Sequence, residues 1–121
     1  MTESLLVQLR KGVLDMCVLA MLAQRDGYAY DIASRLAQDI GMGEGTIYPL
    51  MRRMQADGLV KTYLAESSSG PPRKYYQLTK AGHVALAAQK AEWQSFIAGV
   101  AKVMADSQPA APASKIAGAG R

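Results

Sequence analysis

The chain has 121 residues, half of them hydrophobic, a formal net charge of +4 and a sequence pI near 9.3. This length fits a single domain with a modest core, and so small a basic excess permits an anionic partner without identifying one. Cys17 is the only cysteine and excludes an internal disulfide; one cysteine with one histidine cannot supply a zinc or copper site, so no metal or cofactor is expected.

The start of the chain predicts one helix after a stretch whose structure is ambiguous but compatible with a helix. Residues 1–9 contain three leucines and are interpreted as an arm that contacts a partner chain, because on a small monomer it would leave apolar surface in water. From residue 10 to residue 25 the apolar side chains recur at helical spacing, and Asp26-Gly27 ends this first helix. Cys17 lies inside its apolar run and is interpreted as a buried, inert thiol.

A second helix is predicted over residues 28–40, with its apolar residues on one face and Gly41 at its end. The short, glycine-bearing turn 41–43 then leads into the next helix. Two helices joined in this way fit a helix-turn-helix, although this feature alone fits any helical hairpin.

The stretch around which the chain is organised covers residues 43–59 and predicts a third helix. Its N-cap is Thr46, Gly45 or Glu44, and a start near Thr46 places Pro49 where the missing N–H has little cost. Free N–H groups at an uncluttered helix start suit a close approach to phosphates or base edges. One stripe of this helix is apolar, at Ile47, Leu50, Met51 and Met54.

A two-stranded hairpin is predicted after this helix. Residues 60–66 and 73–79 form the strands, and the serine-, glycine- and proline-rich segment 67–72 forms a long flexible tip. Tyr76 and Leu78 share the face that covers the core. The predicted fold is therefore mainly α with a β-hairpin, a winged helix-turn-helix.

Basic residues concentrate in this part of the chain. Between Thr46 and Lys80 only Asp57 and Glu66 are acidic, whereas six residues are basic. The basic residues are Arg52, Arg53, Lys61, Arg73, Lys74 and Lys80. This clustering favours a nucleic-acid partner more than the overall pI does.

A long final helix is predicted over residues 80–104. A near-heptad seam of large apolar residues runs along it and predicts a homodimer, because the seam otherwise stays in water. The chain thus divides into a DNA-binding domain with its arm, 1–79, a dimerisation helix, 80–104, and a disordered tail rich in Ala, Pro and Gly, 105–121. The seam, and with it the predicted dimer interface, consists of Leu86, Trp93, Phe96, Val100 and Val103.

The block GTIYPLMRRMQADGLVKTYLAESSSGPPRKYYQLTKAGH resembles the signature of PadR-type transcriptional regulators, and GYAYDIASRL is similar to an earlier helix of that family. The resemblance covers roughly residues 9–104. It implies a dimeric winged helix-turn-helix repressor that binds palindromic operators. The short C-terminal part resembles the smaller members, among them the LmrR-like multidrug-responsive repressors.

Six side chains are candidate DNA contacts. Tyr48 and Arg52 are four residues apart and project together, so they can share phosphates or a phosphate and a guanine edge, with Thr46 beside them. Arg53 is either a further contact or an ion-pair partner of Asp57. Arg73 and Lys74 are expected to grip the backbone. A dimer places two such helices in successive major grooves, which predicts an inverted-repeat operator.

Trp93 has two interpretations. The resemblance to LmrR-like regulators implies that Trp93 and its symmetry mate stack a planar hydrophobic ligand at the dimer centre, lined by residues such as Val13 and Cys17. The alternative is a tryptophan that fills space in the core or the interface, as most do.

Catalytic, secretory and membrane signals are missing from the sequence. There is one histidine, no glycine-rich phosphate loop and no paired carboxylates, so an enzyme is not expected. No signal peptide opens the chain and its longest apolar run is too short to span a bilayer, so a cytoplasmic location is expected. The rival function is a winged helix that binds another protein instead of DNA.

Overall fold

A computed structural model of the protein describes residues 4–107. The Cα packing divides the chain into two units that meet between Lys90 and Ala91. No helix in residues 4–107 combines the length and the apolar character needed to cross a membrane. The elements are α1 (Leu5–Gln24), β1 (Gly27–Tyr28), α2 (Ala29–Asp39), α3 (Glu44–Ala56), β2 (Val60–Ser67), β3 (Gly70–Leu78) and α4 (Lys80–Asp106).

Helix α1 begins earlier than predicted. Ser4 is its N-cap and accepts a hydrogen bond from the Val7 N–H at 3.2 Å, so the helix starts at Leu5 and the predicted arm is its first part. The helix-compatible leucines of this stretch thus continue directly into the predicted first helix, because no residue between Leu5 and Arg10 disfavours a helix. Leu5 and its neighbouring leucines at the helix start are exposed.

The turn between α2 and α3 depends on Gly41. Its φ of 79° lies in the left-handed region, and its N–H donates to the Ala37 carbonyl at 3.1 Å while the Met42 N–H donates to Leu36 at 3.2 Å. A Cβ at this position would approach the Arg10 guanidinium to 2.9 Å. The α2 C-terminus is thereby satisfied and the chain turns directly into α3.

Helix α3 starts at Glu44 with Gly43 as its N-cap, so none of the three predicted caps is used. The Thr46 N–H instead donates to the Gly43 carbonyl at 3.2 Å. Pro49 therefore lies in the second turn, inside the helix, and the Gly45 carbonyl loses its usual N–H donor.

The hairpin is longer and its tip shorter than predicted. Ser67 pairs with Gly70, so only two residues form the turn and β3 begins before the predicted start at Arg73. A third strand, β1, pairs with β3 through Gly27 opposite Tyr76 and Tyr28 opposite Tyr75. Strand β1 was not predicted, because two residues carry no periodicity. The sheet is antiparallel, in the order β1-β3-β2.

The core lies where α1, α2 and α3 meet the inner face of this sheet. Tyr76 and Leu78 point inward as predicted, and Thr79 caps α4 by accepting a hydrogen bond from the Gly82 N–H at 3.0 Å. The buried residues that form the core are Leu14, Val18, Leu19, Leu22, Ile32, Ala33, Leu36, Met42, Ile47, Leu50, Met51, Met54, Val60, Tyr76, Leu78 and Leu86.

Helix α4 carries one apolar face with two different environments. Leu86 lies in the chain's own core, so its assignment to a dimer interface is corrected. Trp93 and Val100 follow at intervals of seven residues on the same face, and their side chains are 36% and 42% exposed. The helix includes residues 105 and 106 of the predicted tail, and residues 108–121 lie outside the described part.

Candidate nucleic-acid interface

The apolar stripe of α3 is fully used by the core, which leaves two flanks of the helix at the surface. Ile47, Leu50, Met51 and Met54 are buried as predicted. At about 100° per residue, Tyr48 and Arg52 lie on one flank and Thr46 and Arg53 on the other. The four predicted contacts on the helix are therefore not one cluster.

The first flank adjoins the wing. Gln55, one turn after Arg52, donates from Nε2 to the Thr62 hydroxyl on β2 at 3.4 Å. Tyr48 and Arg52 are exposed on this flank, and among the described side chains Arg52 has no ion-pair partner. A phenol and a guanidinium without an ion-pair partner among the described side chains thus stand beside the hairpin.

The second flank faces α1. The Arg53 guanidinium donates from Nη1 and Nη2 to the two carboxylate oxygens of Asp15, each at 3.1 Å. The ion-pair partner is thus Asp15 instead of the predicted Asp57. The hydrogen bonds that Arg53 donates to Asp15 are the main cause that raises the pKa of Arg53. Thr46 and Arg53 line a cleft between α1 and α3, together with Lys11, Leu14, Asp15, Pro49 and Leu50.

The two cations of the wing point to opposite faces of β3. Arg73 lies on the outer face, where its Nη1 donates to the Tyr28 hydroxyl at 2.9 Å and its Cζ is 4.7 Å from the Tyr28 ring centroid. Lys74 lies on the inner face, with its Nζ 5.7 Å from the Tyr76 ring centroid. Adjacent residues of a strand alternate in this way, so the two side chains do not form one joint grip.

A row of tyrosines covers the outer face of the sheet. The ring centroid of Tyr75 lies 5.5 Å from that of Tyr28 and 5.8 Å from that of Tyr63. Asp26 closes the row, since its Oδ2 accepts hydrogen bonds from the Tyr63 hydroxyl at 2.5 Å and from Gln77 at 3.3 Å. Strand alternation in VKTYLAE and RKYYQLT signals the Tyr63–Tyr75 pair, but Tyr28 joins it only through β1.

The three residues that the resemblance implies for a ligand site belong to different units of the chain. Val13 and Cys17 are half-buried on α1, where burial raises the pKa of the Cys17 thiol. Trp93 lies on α4 in the second unit, at the border of exposure. Because burial raises the pKa of the Cys17 thiol, thiolate chemistry at neutral pH is disfavoured there.

A helix-turn-helix followed by a paired hairpin defines the winged-helix class of proteins. The sequence model of the transcriptional regulator PadR-like family matches residues 18–88, which is more than half of the chain. The chain belongs to this family of transcriptional regulators, whose class of function is DNA-binding regulation.

Solved structures and a curated relative share this fold or sequence. A PadR-like transcriptional regulator from Bacillus cereus is 36% identical with a TM-score of 0.75, over 80% of this chain and 96% of that chain. A PadR family regulator from Eggerthella lenta is 37% identical with a TM-score of 0.69, over 81% of this chain and 87% of that chain. An uncharacterised protein of Lysinibacillus sphaericus is 28% identical over 87 residues, 69% of this chain and 80% of its own.

Proposed function

We propose that the protein is a cytoplasmic, homodimeric repressor that binds an inverted-repeat operator. The observation that carries the proposal is the flank of α3 beside the wing, where Tyr48 and Arg52 are exposed and Arg52 is unpaired among the described side chains. Helix and wing provide two adjoining contact points for one duplex. Repression instead of activation follows the resemblance to the repressors of this family.

Within this interface the side chains have different roles. Tyr48 and Arg52 contact base edges or adjacent phosphates in the major groove, and Thr46 lies near the helix start. Lys74 extends this surface along the inner face of the wing. Arg73 contacts the DNA backbone only with its guanidinium in the position that the hydrogen bond to the Tyr28 hydroxyl fixes. Arg53 is a phosphate contact only if Asp15 releases it.

The second copy is the proposed partner for α4. From Trp93 onward its apolar residues are exposed in the single chain, among them Phe96 and Val103. Such a continuous stripe loses free energy in water and gains it against an identical stripe related by a two-fold axis. Two α3 helices held by one dimer then meet successive major grooves, which requires an inverted repeat.

A planar hydrophobic effector that stacks on Trp93 at the dimer centre is part of the proposal. Its support is the resemblance and the partly exposed indole. Because the chain contains one tryptophan, quenching of its fluorescence by added planar aromatics reports on this one place. Unchanged fluorescence with a broad panel of such compounds would leave Trp93 as a packing residue.

The test of DNA binding uses duplexes selected from a random library by the purified chain. For the selected duplex, the logarithm of affinity should fall linearly with the logarithm of salt concentration, by about 0.9 for each phosphate neutralised. Arg52→Gln should weaken binding about tenfold or more and, if Arg52 binds phosphate, lower this slope by about 0.9 for each subunit.

Arg35→Gln is the matched control. Arg35 carries the same charge, but it lies on α2 and pairs with Asp39 at 3.2 Å. Its replacement should leave affinity for the selected duplex nearly unchanged. If the wild-type chain selects no duplex even at low salt, the proposed DNA binding is wrong. If Arg52→Gln leaves affinity for DNA unchanged while binding to a protein partner is lost, the rival winged-helix protein-binding module is correct.

A further inference from the structure

The two arginines of α3 have opposite situations. Arg52 is unpaired among the described side chains, whereas Arg53 is held by Asp15 of α1 through two parallel hydrogen bonds of 3.1 Å. The side chains of Arg53 and Asp15 are 54% and 40% exposed, so the pair lies at the surface of the α1–α3 cleft. A single-point ion pair this exposed contributes little to stability, whereas the two-point pairing seen here also fixes the direction of the guanidinium toward α1.

A free guanidinium at Arg53 would favour DNA of any sequence. It would stand one residue from Arg52 on the helix proposed to enter the groove, and a guanidinium binds phosphate whatever the bases are. The Asp15 carboxylate occupies both terminal nitrogens of Arg53. Turning the guanidinium away from α1 to a phosphate breaks both bonds, and a phosphate held by its remaining N–H groups would lie beside the Asp15 carboxylate, which repels it.

We propose that Asp15 is a specificity-determining residue, which holds Arg53 against α1 and so keeps this arginine out of sequence-independent contact with phosphate. Asp15 acts through Arg53 and is a positioning residue that need not touch DNA. Lys11 and Thr46 line the same cleft. The inference rests on the proposed function, since it concerns the discrimination between an operator and other DNA.

The experiment compares the wild-type chain with Asp15→Asn on two labelled duplexes, the selected operator and a scrambled duplex of equal length. Asp15→Asn releases Arg53, so binding to the scrambled duplex should tighten roughly tenfold at about 0.1 M salt, with a log–log slope steeper by about 0.9 for each subunit. The operator gains less, so the ratio of the two affinities should fall. Fluorescence anisotropy over a salt series measures both quantities.

Asp39→Asn is the matched control for net charge. Asp39 accepts a hydrogen bond from Arg35 on α2 in an ion pair of similar exposure, 56% and 51%. Its replacement changes the net charge equally but frees no arginine on α3, so the slope should not change. An equal gain for Asp39→Asn would show a general charge effect and would overturn the proposal.

Arg53→Gln provides a second, independent measurement. Because Arg53 is already held by Asp15, Arg53→Gln should leave the slope on both duplexes unchanged, and it should abolish the gain caused by Asp15→Asn in the double variant. A slope reduced as far as by Arg52→Gln would mean that Arg53 contacts DNA in the wild-type chain. That result, or an unchanged slope in folded Asp15→Asn, overturns the inference.

Failure of the inference and failure of the proposed function give different results. If the wild-type chain binds neither duplex at low salt, the DNA-binding function itself is wrong and the role of Asp15 is lost with it. If the wild-type chain prefers the operator and Asp15→Asn keeps that preference, only the role of Asp15 is wrong. Circular dichroism melting of each variant shows that the compared proteins are folded.

Discussion

Individual side chains on the outer face of the sheet decide how the wing is held. Tyr63 donates its hydroxyl hydrogen to Asp26 at 2.5 Å and stacks on Tyr75, which in turn contacts Tyr28. Asp26 and Tyr28 precede α2, whereas the other two residues belong to the hairpin. The base of the wing is thus fixed to the body of the domain through side chains as well as through strand pairing.

The Tyr63–Asp26 bond predicts a pH dependence of stability. This hydrogen bond, followed by burial and by the charge of Asp26, raises the pKa of Tyr63. A tyrosine whose pKa is raised on folding contributes stability that is complete below a pH of about 10 and lost as pH rises through the folded pKa. Above that pH the melting temperature of the wild-type chain should therefore fall more steeply with pH than the melting temperature of Tyr63→Phe. The difference between the two melting temperatures should become smaller as the pH rises.

Tyr30→Phe is the comparison for this measurement. Tyr30 stacks on Tyr28 with a centroid distance of 6.4 Å, and the described residues give its hydroxyl no hydrogen bond. Its melting curve should run parallel to that of the wild-type chain across the alkaline range. If the melting curve of Tyr63→Phe also runs parallel to that of the wild-type chain, the hydrogen bond to Asp26 does not contribute to stability in solution.

At the scale of elements, the start of α4 is set by a close approach that the sequence pattern does not reveal. Thr79 donates from Oγ1 to the Gly58 carbonyl at 2.7 Å and accepts from the Gly82 N–H at 3.0 Å. A Cβ on Gly82 would collide with the Leu59 carbonyl oxygen and lie 2.6 Å from a Leu78 methyl carbon. The helix can pack this closely on the end of β3 only with glycine at that position.

Gly82→Ala should therefore destabilise the domain by about 1–3 kcal/mol or more, since backbone has to move to admit the methyl group. Gly12→Ala is the control, because Gly12 is helical and a Cβ there meets nothing within 4 Å. That change should stabilise α1 by about 0.5–1 kcal/mol. Urea unfolding of the two variants should give effects of opposite sign, and a neutral Gly82→Ala would contradict the packing at Leu59.

At the scale of the whole molecule, the exposed apolar face of α4 is the proposed interface with a second chain. Val100→Asp should turn a dimer into a monomer and weaken operator binding, because a charge in an apolar interface is costly unless paired. Val84→Asp is the matched control on the same helix, since Val84 is also exposed but lies on the side away from Leu86 and Val100. Light scattering after size exclusion distinguishes the two, and a monomeric wild-type chain would refute the proposed dimer.

Much of the fold and the first flank of the site followed from local patterns. The stripe Ile47, Leu50, Met51 and Met54, the inward Tyr76 and Leu78 and the Thr79 cap were all readable, because helical and strand periodicity relate neighbours in sequence. The alternation of β3 also implied that Arg73 and Lys74 point to opposite faces of the strand, although both were predicted to contact the DNA backbone. Strand β1, the Gly43 cap and the buried Leu86 needed the assembled chain.

By itself the sequence determined the order of the four helices and the hairpin, the winged-helix class and the flank with Tyr48 and Arg52, since each depends on patterns among residues close together in the chain. Only the tertiary structure decided that Arg53 binds Asp15, 38 residues earlier in the chain, and that Tyr28 holds Arg73, 45 residues away. Several acceptors compete for each arginine in sequence, and packing of the helices against the sheet selects which carboxylate or hydroxyl comes within hydrogen-bond distance.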